Sequence, residues 1–463
     1  MPTQDTLLIG PRHLISCTDV TNVAALFRIL HYPVPATLTP LPIDDTLLAG
    51  ALRDAIKERY QLASITGRSG APLTVTLFVL AAQAERAAAI RAISQAWTRK
   101  LVGYHLLVFA CPGSQPGETV NDFAQLVFVN ARRLTEGTQV RIKLHKLLVD
   151  RANPTRHDVT TVNALAILTP SISPENLFAN QCDAFDVEQI TKAFYTEYAT
   201  YFQRVKNRIK QDNPALPLVH DDEKLHAFTQ RLFGRLMFLY FLQKKGALDR
   251  NPSFITAWYE RAIKTNHGFY RFVLEELFFQ TLNLPREGNQ HPRFGVVPYL
   301  NGGLFAQDDD DYVGVIHLDN AIFDPGHQDG VLHFLNNHNF TVSEDTPLEV
   351  EVALDPEMLG KVFENLLAVE ERGQSGTFYT PRSVVAFMCR QALGAYLSRA
   401  TAITPATLNA LLDEAETGEA ALDAHGQILL TNRTMPRTQR EAVEQALIHV
   451  RVLDPAVGSG AFP

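Results

Sequence analysis

The stretch Arg451-Val-Leu-Asp-Pro-Ala-Val-Gly-Ser-Gly-Ala-Phe462 carries the most information about the fold. Its apolar and β-branched start predicts a short strand, and the glycines that follow predict a tight turn into a helix. Glycines at such a junction let the backbone pass close to a ligand, because they have no Cβ atom. Asp454 would stand at the carboxyl end of the strand, where open parallel sheets bind their ligands. The stretch therefore predicts the first strand and ligand loop of a parallel α/β sheet.

A second informative segment is Gly376-Thr-Phe-Tyr-Thr-Pro-Arg-Ser-Val-Val-Ala-Phe-Met388. Thr380 can cap a helix whose first residue is Pro381. That helix would then bury Val384, Val385 and Met388. This interpretation explains the segment without any ligand, and it stays open beside the functional one.

Asp-Pro-Ala-x-Gly-Ser-Gly-x-Phe resembles the S-adenosylmethionine-binding motif of methyltransferases that act on amino groups of DNA. In that family the acidic residue faces the amino group of the methionine moiety, and the glycines shape the pocket. Gly-x-Phe-Tyr-Thr-Pro is similar to the segment that closes over the methionine end of the same cofactor. The resemblance implies a Rossmann-like catalytic domain whose cofactor-binding residues are Tyr379, Thr380, Pro381, Asp454, Pro455, Ala456, Gly458 and Gly460.

Further stretches narrow the resemblance to one group of methyltransferases. The segments at 231–246, 297–305 and 359–367 look like the helical spacer of single-chain type IIG restriction-modification enzymes and of methyltransferases from related phage-defence systems. The resemblance implies transfer of a methyl group from S-adenosylmethionine to adenine in DNA. DNA is thus the implied partner, and the cytoplasm is the expected location.

The catalytic loop of adenine methyltransferases, Asn/Asp-Pro-Pro-Tyr/Phe, does not occur in the sequence. That loop bonds the target amino group and stacks on the flipped base. We therefore expect no catalytic residue in this chain, no methylation by the chain alone, and a further segment or second chain that supplies the rest of the catalytic and target-recognition domains. The sequence is interpreted as an N-terminal portion, truncated in the cofactor motif.

The chain is predicted to combine a mixed α/β domain with helical parts. Residues 1–170 carry apolar, β-branched runs at 73–80, 105–110, 124–129 and 139–144, with a predicted helix at 81–101, and form an α/β domain that could be a degenerate nuclease-like fold. Residues 183–370 have long helical patterns and form a spacer or connector domain. Residues 371–463 form the start of the methyltransferase domain, and 405–447 are expected to form two polar helices, or a helix and a loop, ahead of a final short strand.

Composition excludes several classes of protein. The 463 residues have a net charge of −8, four cysteines without a Cys-x-x-Cys pair, and no apolar run of membrane-spanning length, so we expect neither a zinc site nor a membrane span. The acidic run 308–311 is interpreted as a solvated turn and not as a metal site. Basic clusters at 204–210, 231–235 and 244–245 could meet phosphates, but solvated helix faces are the commoner explanation. His145 and His220 have no partner at metal-ligand spacing.

Two other functions remain open. The chain could be a non-catalytic DNA-binding or assembly subunit, or a restriction nuclease subunit. A nuclease of the usual kind needs Glu two positions before a Lys, and no Lys has this neighbour. The nearest arrangements are Asp222-x-Lys224 and Gln243-x-Lys245.

Overall fold

A computed structural model of the chain describes residues 7–43, 46–48, 50–67, 70–81, 86–113, 122–136, 139–300, 303–307, 309–341, 349–354, 382–417, 420–422, 428–430 and 435–453. The chain divides into two compact units. Unit 1 takes in the described parts of Met1–Asp186, Glu344–Val352 and Leu359–Pro463, and unit 2 those of Val187–Ser343 and Ala353–Met358.

Strands and helices alternate along unit 1, whereas unit 2 is mainly helical. The strands are β1 (Ile56–Ile65), β2 (Leu73–Leu80), β3 (Tyr104–Pro112), β4 (Phe123–Glu136), β5 (Gln139–Asp150), β6 (Gln290–His291), β7 (Gly295–Val296), β8 (Glu349–Glu351), β9 (Ala420–Leu422) and β10 (Ile428–Leu430). The α-helices are α1 (Pro11–Ile15), α2 (Val20–Ile29), α3 (Ala51–Asp54), α4 (Arg86–Lys100), α5 (Arg156–Ala164), α6 (Pro174–Ala184), α7 (Val187–Asp212), α8 (Asp222–Lys244), α9 (Phe254–Lys264), α10 (Val331–Asn336), α11 (Arg382–Thr401), α12 (Pro405–Thr417) and α13 (Arg437–Ile448).

Unit 1 is built on a mixed sheet with the strand order β1-β2-β3-β4-β5-β8. The pairs β2–β3 and β5–β8 are parallel, and the other neighbours are antiparallel. Helix α4 makes the crossover from β2 to β3, which a parallel pair requires. The short strand β8 joins the edge of β5 from about 200 residues further along the chain, with Lys146 opposite Glu351.

Both faces of this sheet are covered, because successive strand residues point to opposite sides. On one side, Val127 and Val129 belong to a core that includes Trp97 of α4. On the other side, the ring of Phe128 lies 6.4 Å from that of Phe27 in α2. Burial on both faces explains the nearly continuous apolar sequence of β2.

Unit 2 has a core of aromatic side chains held between helices. Tyr198 and Phe202 of α7 pack on Phe233 of α8, with ring centroids 5.0 and 5.7 Å apart. Helix α8 begins where the Asp221 side chain accepts hydrogen bonds from the backbone N–H groups of Glu223 and Lys224. Two π-helical segments, Tyr270–Leu274 and Glu276–Leu282, follow α9.

The four strands and the helix predicted in residues 73–150 are confirmed, and the chain is mixed α/β with additional helices, as expected. Strand β1 was not predicted. The two helices expected in 405–447 are confirmed as α12 and α13. Residues 451–453, the expected start of the ligand-binding strand, are not in a strand, and 454–463 lie outside the described residues. The Rossmann-like domain and the domain boundaries therefore stay predictions. Within the described residues, no helix is long and apolar enough to cross a membrane.

Candidate functional site

All eight residues predicted to bind the cofactor lie outside the described part of the chain, so their roles stay predictions. Their two segments border helices that are described. Residues 379–381 come directly before α11, and Asp454 follows α13 after five residues. Helices α11, α12 and α13 lie between the two segments in sequence.

These three helices share a small apolar core. Leu397 of α11 and Leu408 of α12 are 1% and 0% exposed, and Val443 of α13 packs with them. The hydroxyl of Tyr396 donates a hydrogen bond to the carbonyl oxygen of Ala446, 3.0 Å away. The end of α13 is thus fixed to the second half of α11. This packing joins the helix after the first cofactor segment to the helix before the second.

The first half of α11 has an apolar face that is exposed. Val384, Phe387 and Met388 are 43%, 62% and 50% exposed, and only Val385 is buried. The expectation that Val384 and Met388 would be buried is therefore wrong. The reason is that the apolar core formed with α12 and α13 involves the second half of the helix, from residue 393 onward.

A second exposed apolar group follows α13. Leu447 and Ile448 end the helix at 44% and 65% exposure, and Val452 and Leu453 reach 77% and 87%. Residues 451–453 are thus loosely packed. Both exposed groups adjoin the predicted cofactor segments. An apolar face of this kind marks a surface that packs against something else.

The cofactor's chemistry can be compared only with the residue types in the two segments. The carboxylate of Asp454 is opposite in charge to the ammonium group of S-adenosylmethionine, and Gly458 and Gly460 leave room for the backbone to approach it. These residue types are those expected for the methionine end of S-adenosylmethionine, and the assignment stays a prediction.

The first predicted basic cluster is neutralised by acidic side chains of unit 2. Arg204 pairs with Asp329 at 2.8 Å, and Lys206 pairs with Asp222 at 2.9 Å. Arg208 lies 2.8 Å from Asp212 and 3.5 Å from Asp319. These residues are therefore intramolecular ion-pair partners; Arg204 and Arg208 are exposed, as expected for a solvated helix face, whereas Lys206 is buried.

The second basic cluster and the acidic run form one buried ion pair. Arg235 donates from Nη1 and Nη2 to the two carboxylate oxygens of Asp311, at 2.6 and 3.1 Å, and both side chains are at most 3% exposed. Arg231 is 3.6 Å from the same carboxylate. The interpretation of 308–311 as a solvated turn is therefore wrong for Asp311. A pairing across 76 residues is not visible in either segment alone.

This ion pair fixes the position of a loop. Nε of Arg235 donates to the carbonyl oxygen of Leu304 at 2.8 Å, and the guanidinium lies over the ring of Phe279, 4.8 Å from its centroid. Phe305 packs on Phe238 of α8, with ring centroids 5.8 Å apart. The structure therefore brings together two of the stretches that carry the family resemblance, 231–246 and 297–305.

Burial also affects acidic groups next to this pair. Burial raises the pKa of Glu275, and the Gly314 N–H, which donates to its carboxylate at 3.0 Å, opposes the shift. Burial likewise raises the pKa of the Tyr270 hydroxyl, and the charge of Glu275 adds to the effect. Both groups are held within the fold, which agrees with a structural role.

Histidines and acidic clusters give no metal site. Burial, together with the charges of Arg132 and Lys143, lowers the pKa of His145 to about 4. Its Nδ1 lies 2.9 Å from the carbonyl oxygen of Phe185, and His220 contacts the carbonyl of Pro214 at 3.1 Å. Over the residues that the structure describes, no group of three or more His, Cys, Asp or Glu side chains could hold a metal ion.

The nearest substitutes for a nuclease motif are not assembled. Asp222 pairs with Lys206, whereas Lys224 pairs with Asp310 at 3.2 Å. Asp222 and Lys224 thus form ion pairs with different residues and not with a common ligand. Gln243 accepts a hydrogen bond from the backbone N–H of Ile255 at 3.2 Å and is used inside the fold.

Comparison with known proteins gives one informative similarity. The chain is 28% identical over 308 residues to a protein of Methanocaldococcus jannaschii that is named a putative type II restriction enzyme and methyltransferase. The match covers 59% of this chain and 25% of that relative's length. The similarity supports kinship with restriction-modification proteins. No protein-family model matches the chain, and no solved structure matches it.

Proposed function

We propose that this chain is the N-terminal portion of an adenine-specific DNA methyltransferase of a restriction-modification or phage-defence system. Its cofactor is S-adenosylmethionine, which Tyr379, Thr380 and Pro381 contact at the methionine end. The other contacts come from the loop Asp454, Pro455, Ala456, Gly458 and Gly460. The target adenine and its catalytic loop belong to a further segment or a partner chain.

The proposal is carried by the two sequence segments that resemble cofactor-binding motifs, and the packing of the helices that border them in sequence agrees with it. Helices α11 and α13 are joined by the Tyr396–Ala446 hydrogen bond and by their common core. The chain thus connects the helix that follows 379–381 with the helix that precedes 454–460. The distant relative's name supports the same class of function.

The exposed apolar faces support the need for a further segment. Phe387 and Leu453 are 62% and 87% exposed, and both lie close in sequence to the cofactor segments. A Rossmann-like sheet would cover such faces, because its helices pack on the sheet with their apolar side.

The experiment is to incubate the complete gene product with DNA and S-adenosylmethionine that carries a tritiated methyl group, and to identify the labelled nucleoside after digestion. The proposal predicts N6-methyladenine. Label in cytosine would contradict adenine specificity. DNA cleavage that needs magnesium but no S-adenosylmethionine would favour the nuclease alternative. The codons after that for Pro463 are expected to encode Asn/Asp-Pro-Pro-Tyr/Phe.

A further inference from the structure

The segment 244–293 of unit 2 is rich in Lys and Arg side chains that lie beyond ion-pair distance of every described carboxylate. It contains eight Lys or Arg residues and five Asp or Glu residues. None of the eight forms an ion pair with a carboxylate among the described residues. The nearby Glu276 carboxylate lies 3.3 Å from Nε2 of His291, whose pKa is lowered by burial. This segment differs from the 204–210 cluster, in which Arg204, Lys206 and Arg208 form ion pairs with carboxylates.

Arg293 is held between two aromatic rings. Its guanidinium carbon lies 4.3 Å from the ring centroid of Phe272 and 4.7 Å from that of Phe294. One nitrogen, Nη2, donates to the carbonyl oxygen of Phe272 at 2.6 Å. Its Nε has no hydrogen-bond partner in the part of the chain that the structure describes. The rings and this hydrogen bond thus fix the orientation of the guanidinium, and its unpartnered Nε is buried beneath the surface.

The same stack continues in both directions along the surface. Trp258 packs edge-on against Phe294 at 4.8 Å, and Arg261 lies 4.7 Å over the Trp258 ring. At the other end, the ring of His267 stacks on Phe272 at 4.2 Å. Arg261 and His267 are exposed, whereas Trp258 and Phe294 are buried beneath them.

Electrostatics agree with this geometry. Burial lowers the pKa of Arg293, Glu276 opposes the shift, and the charge of Arg261 lowers the pKa further. The charge of Arg261 thus acts against that of Arg293, Glu276 offsets this effect, and no carboxylate among the described residues lies within ion-pair distance of either guanidinium. An anion placed between them would relieve this repulsion.

We propose that the stack Arg261–Trp258–Phe294–Arg293–Phe272–His267, named here the arginine ladder, binds the phosphate backbone of DNA. Arginine is well suited to this ligand, because its planar fork matches phosphate oxygens and stacking on a ring fixes its orientation. A protein partner is less suitable, because protein interfaces have apolar centres, whereas here the rings of Trp258 and Phe294 lie beneath the cations.

The inference rests on the proposed function, which makes DNA the substrate, and it names a surface that positions the duplex without reading its sequence. Phosphate contacts set register and orientation and carry no base information. The sequence-specific contacts would be made elsewhere. Arg261 is the residue to test, because it is exposed and its loss leaves the aromatic core intact.

The chain offers a matched control for Arg261. Arg204 also lies over an aromatic ring, 5.1 Å from the centroid of Tyr201, but it pairs with Asp329 at 2.8 Å. The variants Arg261→Ala and Arg204→Ala therefore remove the same side chain from similar stacks, and they differ in whether the charge was neutralised. Arg261→Lys keeps the charge. Circular dichroism checks that each variant is folded.

The experiment measures binding of a fluorescent DNA duplex to the full chain at several salt concentrations, without cofactor. We expect Arg261→Ala to weaken binding and to reduce the slope of log K against log salt by about one, since each phosphate contact contributes about 0.9 to that slope. Arg204→Ala should match the parent protein, and Arg261→Lys should keep most of the slope.

Equal affinities and slopes for Arg261→Ala and Arg204→Ala would overturn the proposal, and so would the absence of DNA binding by the parent protein. Failure of the proposed function gives a different result. In that case S-adenosylmethionine would not bind, while the difference between the two arginine variants on DNA would persist.

Discussion

Removal of the Asp311 carboxylate should destabilise unit 2 strongly. Arg235 is 3% exposed and donates two hydrogen bonds to this carboxylate, at 2.6 and 3.1 Å. In the variant Asp311→Ala its charge would remain buried without a counter-charge. Loss of one partner of a buried pair costs about 3–5 kcal/mol. The carbonyl oxygens of Leu304 and Ala306 still accept from Arg235, so we expect the lower end of this range.

The assay is urea unfolding followed by the fluorescence of Trp258. The chain has two tryptophans, and Trp97 lies in unit 1, so Trp97→Phe leaves Trp258 as the reporter of unit 2. The control is Asp310→Ala, which removes an exposed carboxylate paired with Lys224. A surface pair of this kind contributes at most about 1 kcal/mol.

A third variant separates the ion pair from the space it fills. Replacement of both partners, Arg235→Met with Asp311→Leu, should recover most of the stability, because apolar residues of similar size leave no unpaired charge. If Asp311→Ala lowered the unfolding free energy no more than Asp310→Ala, the buried pair would not fix the loop at 304–311, and this account of unit 2 would be refuted.

Two further predictions concern local features. His145 has a pKa of about 4 in the folded state, below the usual 6.5. As the pH falls, the unfolded chain therefore takes up a proton at this residue before the folded chain does. The free energy of unfolding should decline between pH 6.5 and pH 4, by up to roughly 3 kcal/mol. Urea midpoints across this range should flatten in His145→Leu and not in His220→Gln. Gly295 has a φ of 73° and abuts the Asp249 carboxylate. The variant Gly295→Ala should therefore lower the melting temperature and reduce the free energy of unfolding by more than about 1 kcal/mol, whereas Gly268→Ala should change both little.

The strands of unit 1 could be predicted where their residues are apolar on both faces. Strand β2 is an example, since its side chains are buried along nearly the whole length. Strand β1 was missed because its start, Lys57-Glu-Arg59, is charged and partly exposed. Strand β8 has three residues and is held by ion pairs of Glu349 with Arg91 and Lys146. No local pattern reveals such long-range partners.

The cofactor motifs could be found from local sequence, because their residue types and spacing are contiguous. The buried Arg235–Asp311 pair and the arginine ladder were missed for the opposite reason. Each joins residues that are far apart in the chain, and a run of four Asp residues is usually solvated. Only the fold shows that Asp311, one of these four residues, is fully buried and that Arg293 lies between two aromatic rings.

The most direct test of the central claim is binding of S-adenosylmethionine, measured by photo-crosslinking of the radiolabelled cofactor to the chain. The account predicts labelling that unlabelled S-adenosylhomocysteine displaces. Asp454→Ala should weaken binding about tenfold or more, the usual loss for a hydrogen bond to a charged group. Glu444→Ala, which removes an exposed carboxylate of α13, should bind normally. Equal labelling of both variants, or none in the parent protein, would contradict the assignment of the cofactor site.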